Sequence, residues 1–94
     1  FKADPRHKFI GETESQLNDF GYFLLNRKRI EDAVAVFRLN TEYYPNSANA
    51  FDSLGEAYLA AEKKEEAVRA YEKAISLDPN LQSSLDALKK LKGE

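Results

Sequence analysis

Residues 51–79 read FDSLGEAYLAAEKKEEAVRAYEKAISLDP, and residues 17–45 read LNDFGYFLLNRKRIEDAVAVFRLNTEYYP. When the sequence is shifted along itself by 34 residues, these two stretches align, and seven identical pairs fall within the 34 positions from Leu17 to Ala50. Average composition would give about two identities by chance. The identical pairs are Gly21 with Gly55, Leu25 with Leu59, Glu31 with Glu65, Ala33 with Ala67, Val34 with Val68, Pro45 with Pro79 and Asn46 with Asn80. A fixed period of this length is typical of stacked helical hairpins, so the chain is predicted to be all-α.

The two copies share a pattern of small and large side chains. The second copy runs Phe51-x-x-Leu54-Gly55-x-x-Tyr58, then Ala67-x-x-x-Tyr71, then Pro79; the first runs Leu17-x-x-Phe20-Gly21-x-x-Leu24, then Ala33-x-x-x-Phe37, then Pro45. This pattern resembles the tetratricopeptide repeat, which places Leu-Gly-x-x-Tyr and Ala-x-x-x-Phe before a closing Pro. The first copy departs from it at Phe20, Leu24 and Asn40, where the second copy has Leu54, Tyr58 and Ala74.

Turn and capping residues predict the boundaries of the elements. Thr13-x-x-Gln16 has the form of a capping box and predicts a first helix to about Asn26, while Ser47 is predicted to cap the third helix. The predicted helices span 13–26, 31–43, 48–60, 65–77 and 81–92. The predicted organisation is a linker at 1–12 from an upstream domain, tetratricopeptide-type hairpins at 13–46 and 47–80, and a capping helix at 81–94.

The composition of the chain argues against nucleic acid and membranes as partners. The 94 residues are enough for one small domain, and the net charge of −2 gives no basic surface for nucleic acid. No apolar run is long enough to cross a membrane, and no polybasic face predicts binding to a membrane surface. The chain has no cysteine, which excludes disulfides and thiolate sites and leaves the compartment open. It also has no methionine, so we expect a processed product or a piece of a longer protein.

Catalytic and metal-binding groups are sparse. The only histidine, His7, lies between two basic residues in the predicted linker, and no serine lies in a Gly-x-Ser-x-Gly context. The carboxylates of Asp4, Asp19, Asp52 and Glu56 have no histidine or cysteine spaced to join them as metal ligands. We therefore expect no enzymatic activity, cofactor or metal in this segment.

The resemblance implies a concave groove that is lined by the first helix of each hairpin and binds extended peptides. The groove positions correspond here to Asn18, Tyr22, Leu25 and Asn26 in the first hairpin, to Asp52, Glu56, Leu59 and Ala60 in the second, and to Asp86 and Lys90 on the capping helix. Family members that clamp the terminal carboxylate of heat-shock chaperones use basic residues and Asn at such positions. Asp52 and Glu56 would repel a carboxylate, which argues against that function and favours a neutral or basic segment anchored on Tyr22. The alternative is that these positions are only solvated or packed helix faces.

The first helix is apolar on nearly every side between Phe20 and Leu25, and such a helix is normally buried on more than one side. Two repeats and a cap lie at or below the roughly three-repeat minimum for independent stability. We therefore expect Phe20, Tyr22 and Phe23 to dock on a parent domain or on a second copy of the chain.

A narrower resemblance concerns the context of the repeats. It rests on Gly21-Tyr22 with Leu24-Leu25, on Phe37 with Asn40, on the segment from Pro45 to Ala50 and on the segment from Asp52 to Tyr58. This wording is similar to the repeat region at the carboxy end of some bacterial serine hydrolases of esterase and β-lactamase-like types. It implies a non-catalytic appendage behind an upstream catalytic domain. The alternative is a stand-alone adaptor that binds peptides.

Overall fold

The computed structural model describes the backbone of residues 5–93 and the side chains of residues 14–93. Five α-helices follow one another in this part of the chain, with no strand among them. They are α1 (Pro5–Asn26), α2 (Ile30–Tyr43), α3 (Ala48–Ala60), α4 (Lys64–Leu77) and α5 (Gln82–Leu91). The predicted all-α helical repeat is thus confirmed.

The helices pack in chain order, as a stack of hairpins does. Helix α1 packs on α2, α3 packs on α4, and α2 and α3 join the two hairpins. Helix α5 covers α4 as the predicted capping helix. The division of the chain into a linker at 1–12, hairpins at 13–46 and 47–80 and a capping segment at 81–94 remains a prediction.

A close approach within each hairpin explains the glycine of the motif. A Cβ atom on Gly55 would lie 2.8 Å from Cζ of Tyr71, and one on Gly21 would collide with the ring of Phe37. Real Cβ atoms do not come so close, so the aromatic ring of the second helix packs directly on the backbone of the first. This contact outweighs the cost of about 1 kcal/mol of a glycine inside a helix.

The turns inside the two hairpins are built alike. Lys28 and Glu62, which are 34 residues apart, both have a left-handed backbone, with φ of 65° and 62°. The amide of the residue that follows each of them donates back to a helix carbonyl: Arg29 to Leu24, and Lys63 to Tyr58, both at 2.9 Å. The repeat period therefore extends to the backbone conformation of the turn.

The core lies where the hairpins meet. Ala33, Phe37 and Ala57 are completely buried, and Leu24 and Leu54 are nearly so. Small side chains from α2 and α3 alternate there with large ones, which lets the helices approach.

The predicted start of α1 was wrong. The helix begins at Pro5 and runs through Thr13, so residues 5–12 are helical and Thr13 does not cap the helix. Proline suits the first turn of a helix, because its fixed φ is helical and its missing N–H would have no partner there. The predicted cap at Ser47 is confirmed, since its Oγ accepts a hydrogen bond from the amide of Ala50 at 3.1 Å.

Candidate protein-interaction surfaces

Four of the predicted groove residues lie in pairs one turn apart on neighbouring helices. Asn18 and Tyr22 share a face of α1, and Asp52 and Glu56 share a face of α3. Glu56 is exposed, while the other three are partly buried. The two pairs occupy equivalent positions of the 34-residue period.

Tyr22 links the two hairpins. Its hydroxyl donates to Oε1 of Glu56 at 2.7 Å and lies 3.2 Å from Oγ of Ser53. Its ring meets the buried ring of Phe37 edge-on, with 5.1 Å between the ring centres. Contacts within the chain therefore engage both the ring and the hydroxyl of Tyr22. The sequence instead predicted that Tyr22 anchors a bound peptide.

The surroundings of Tyr22 and Tyr71 oppose the ionisation of their hydroxyl groups. Burial raises the pKa of Tyr22 to about 12, and the charges of Glu56 and Asp52 act in the same direction, while the hydrogen bond with Ser53 opposes them. Burial also raises the pKa of Tyr71, again together with Asp52 and Glu56. Two carboxylates thus give this part of the surface a negative potential.

A second polar link joins α3 to α5. The completely buried Ser84 donates from Oγ to Oδ1 of Asp52 at 2.5 Å. At the equivalent junction between α1 and α3, Asn18 stands in place of Asp52 and Ala50 in place of Ser84. Ala50 has no hydroxyl to donate, and the buried Oδ1 of Asn18 has no hydrogen-bond partner among the described side chains.

The remaining groove positions divide by exposure. Leu25 is half-buried against the core, Leu59 is 36% exposed, and Asn26, Ala60, Asp86 and Lys90 are exposed. Ser53 and Ser84, which bond to the groove residues, were not predicted. The sequence indicates each of them only as a serine at a buried position that suits a small side chain. That position lies on the helix that packs beside the helix of the groove residue.

Among the described side chains, the most exposed large apolar ones lie elsewhere, on the first hairpin. Phe20 and Phe23 on α1 are each 49% exposed, and their rings stack with 6.3 Å between the ring centres. The guanidinium of Arg27 lies 4.7 Å from the centre of the Phe23 ring. On α2, Val36 is half-buried and Leu39 is 39% exposed. We call Phe20, Phe23, Val36 and Leu39 the end face.

The same positions in the second hairpin are covered or charged. Leu54, the counterpart of Phe20, is 6% exposed, and Ala57, the counterpart of Phe23, is completely buried. Both belong to the core that joins the hairpins. The counterpart of Leu39 is Lys73, whose ammonium group lies 5.9 Å from the centre of the Phe51 ring. The first hairpin thus presents apolar groups where the second buries them or replaces them with charge.

A cleft between the two helices of each hairpin repeats this difference. In the first hairpin it is lined by Phe20, Leu24, Arg29, Asp32, Ala35 and Val36. In the second it is lined by Phe51, Leu54, Tyr58, Glu66, Arg69, Ala70 and Lys73. The first cleft carries two charged residues and the second carries three, because Arg69 stands where the first cleft has Ala35.

The second hairpin and the first residues after it carry the recognisable pattern. Residues 48–81 match the tetratricopeptide repeat family. Tetratricopeptide repeats are generally non-catalytic and bind proteins or peptides. No curated protein matches the chain.

Other classes of site were also sought in the described part of the chain. No described helix is both long enough and apolar enough to cross a membrane. Within residues 14–93, no three His, Cys, Asp or Glu side chains gather as metal ligands would. The side chain of His7 and all of Asp4 lie outside the described residues.

Proposed function

We propose that this chain is a non-catalytic protein-interaction module that docks through its end face. The observation that carries the proposal is the exposure of Phe20 and Phe23, each 49%, at positions where the second hairpin buries Leu54 and Ala57 against its neighbour. Apolar side chains clustered at one end of a repeat array mark a surface on which something stacks.

We further propose that the module is the carboxy-terminal appendage of a bacterial serine hydrolase. The support is the wording of the repeats, from Gly21-Tyr22 to the segment that ends at Tyr58. On this account, the catalytic residues lie upstream, and the repeats affect assembly and stability but not the chemical step.

The test uses the full gene product. A Phe20→Ser/Phe23→Ser variant is compared with an Arg69→Ser/Lys73→Ser variant, which changes the rim of the equivalent cleft in the second hairpin. Sedimentation velocity reports the assembly state and thermal unfolding reports stability. We expect the phenylalanine variant to lose assembly or to unfold at lower temperature, with the control close to wild type. If both variants match wild type in both measurements, docking through the end face is excluded.

A stand-alone peptide-binding adaptor is the second candidate. It is favoured by the carboxylates of Asp52 and Glu56, which lie one turn apart on α3 and suit a basic segment. The test is a titration with a lysine-rich extended peptide, followed by fluorescence anisotropy at two salt concentrations. Saturable binding that is lost in Glu56→Lys would support the adaptor. Equal binding by wild type and Glu56→Lys would exclude it.

A further inference from the structure

The exposed surface of α1 has a symmetric order of charges. Asp19 precedes Phe23 by four residues and Arg27 follows it by four, so all three lie along one side of the helix with Phe20 beside them. All four side chains are exposed. The carboxylate of Asp19 lies toward one end of this row of side chains and the guanidinium of Arg27 toward the other. The two aromatic rings lie between them.

We propose that a second copy of the chain covers the end face, with its α1 antiparallel to the first. This inference rests on the proposed docking function and names the partner. In an antiparallel pair that crosses at Phe23, the aromatic rings of the two copies meet at the centre. Val36 and Leu39 extend the apolar area on the α2 side of each copy.

Charge complementarity selects this partner and its orientation. Four helical residues rise about 6 Å, so Asp19 and Arg27 lie equally far from the crossing point on either side. Antiparallel pairing then sets Asp19 of each copy beside Arg27 of the other, which makes two equivalent ion pairs. Parallel pairing would set like charges together and would bring the basic turns at 27–29 of the two copies side by side.

Both charged groups are available for this contact. Within the described side chains, the ion pairs are Arg29 with Asp32 and Lys92 with Glu72, and neither involves Asp19 or Arg27. Arg27 uses the flat face of its guanidinium on Phe23. No described carboxylate pairs with its N–H edge, which can therefore bind one from a second copy, and this division of roles is characteristic of arginine.

The exposed area predicts a weak, reversible dimer. A phenylalanine buries about 150–250 Å², and at 49% exposure the two rings offer about 200 Å² per copy. Stable interfaces bury about 800 Å² per partner. The dimer should therefore appear as protein concentration rises, and it should weaken with salt because two ion pairs contribute to it.

The experiment is a reciprocal charge reversal, followed by sedimentation equilibrium over a range of concentrations. Asp19→Arg sets arginine against arginine, and Arg27→Asp sets aspartate against aspartate, so each variant alone is expected to dimerise at least about tenfold more weakly than wild type. An equimolar mixture of the two variants restores opposite charges at both contacts and should dimerise as wild type does. The double variant Asp19→Arg/Arg27→Asp should also recover.

The outcomes separate this inference from the function on which it rests. If wild type stays monomeric at millimolar concentration, or if the mixture and the double variant do not recover, the antiparallel second copy is excluded. Docking on the parent domain would then still show as an effect of Phe20→Ser/Phe23→Ser in the full gene product. If that variant also has no effect, the end face has no docking function at all.

Discussion

The two hairpins share a period, a turn conformation and an aromatic ring packed on glycine, yet their amino-terminal sides differ. Phe20 and Phe23 of the first hairpin are each 49% exposed, and Leu54 and Ala57 of the second are 6% and 0% exposed. The second hairpin has a neighbour on this side, and the first has none among the described residues. The side-chain sizes agree with this difference in exposure, because the small side chain of Ala57 suits a tight contact between hairpins.

The outer side of the first hairpin therefore differs in chemistry from the same side of the second. A solvent-facing end of a repeat array normally carries polar residues, as α5 does with its exposed lysines at 89 and 90. The first hairpin instead enlarges its apolar side chains at its outer end. This pattern favours a surface shaped for a partner.

The largest effect is expected from exchanging one equivalent pair of residues. Ala57→Phe places a large ring at a completely buried position between the hairpins, so we expect it to lower the free energy of unfolding by about 3 kcal/mol or more. Phe23→Ala removes a half-exposed ring and should cost less than about 1 kcal/mol in the monomer. Urea unfolding at low protein concentration measures both values. Equal losses of unfolding free energy would mean that positions 23 and 57 have the same environment, which would contradict the difference between the two hairpins.

A smaller effect is expected at the polar junctions. Ser84→Ala removes the hydroxyl that donates to Asp52, which should lower the free energy of unfolding by about 1–2 kcal/mol. Its exposed neighbour provides the control, since Ser83→Ala should change little. At the other junction, Ala50→Ser adds a donor near the unpaired Oδ1 of Asn18 and should stabilise the chain by up to about 1 kcal/mol. Destabilisation by both Ser84→Ala and Ala50→Ser would show that the junctions are not equivalent in geometry.

The smallest effect concerns alkaline pH. Because the pKa of Tyr22 is raised to about 12 in the folded chain, the unfolded state loses this proton first, at about pH 10. The stabilisation is therefore fully present below pH 10 and is lost as pH rises toward 12. Solvent screening of a half-exposed group keeps the loss under about 1 kcal/mol.

Thermal unfolding of wild type and Tyr22→Phe between pH 9 and 12 tests this expectation. The wild type should lose stability more steeply than the variant, which retains the contribution of Tyr71. Parallel curves would mean that Tyr22 does not hold its proton more tightly in the folded chain.

The period of 34 residues was sufficient to predict the fold from the sequence. It predicted α3 with the observed boundaries, and it predicted the ends of α2 and α4 at Tyr43 and Leu77, each two residues before a proline. It failed at the start of α1, because the capping-box form of Thr13-x-x-Gln16 predicts a start there, whereas the helix runs from Pro5 through Gly11. Proline at the first helical position favours a helix, and a single glycine costs only about 1 kcal/mol.

The positions of the surface residues could be predicted from the sequence, but the hydrogen bonds that these residues form could not. The apolar stretch from Phe20 to Leu25 indicated a helix that needs covering, and the structure leaves Phe20 and Phe23 exposed there. The bond from Tyr22 to Glu56 does not follow from the motif, which assigns each groove position separately to the binding surface. Equivalent positions of neighbouring repeats lie side by side, so a donor and an acceptor 34 residues apart should be tested as a pair.

The proposed pairing of two copies at the end face can be tested in solution. Isotope-filtered NOE spectroscopy on a mixture of labelled and unlabelled chains tests it most directly, because it records only contacts between copies. Antiparallel pairing predicts NOEs between the ring protons of Phe20 and Phe23 across the two copies, growing with protein concentration and absent in Phe20→Ser/Phe23→Ser. A dimer whose intermolecular NOEs arise only from other residues would contradict it.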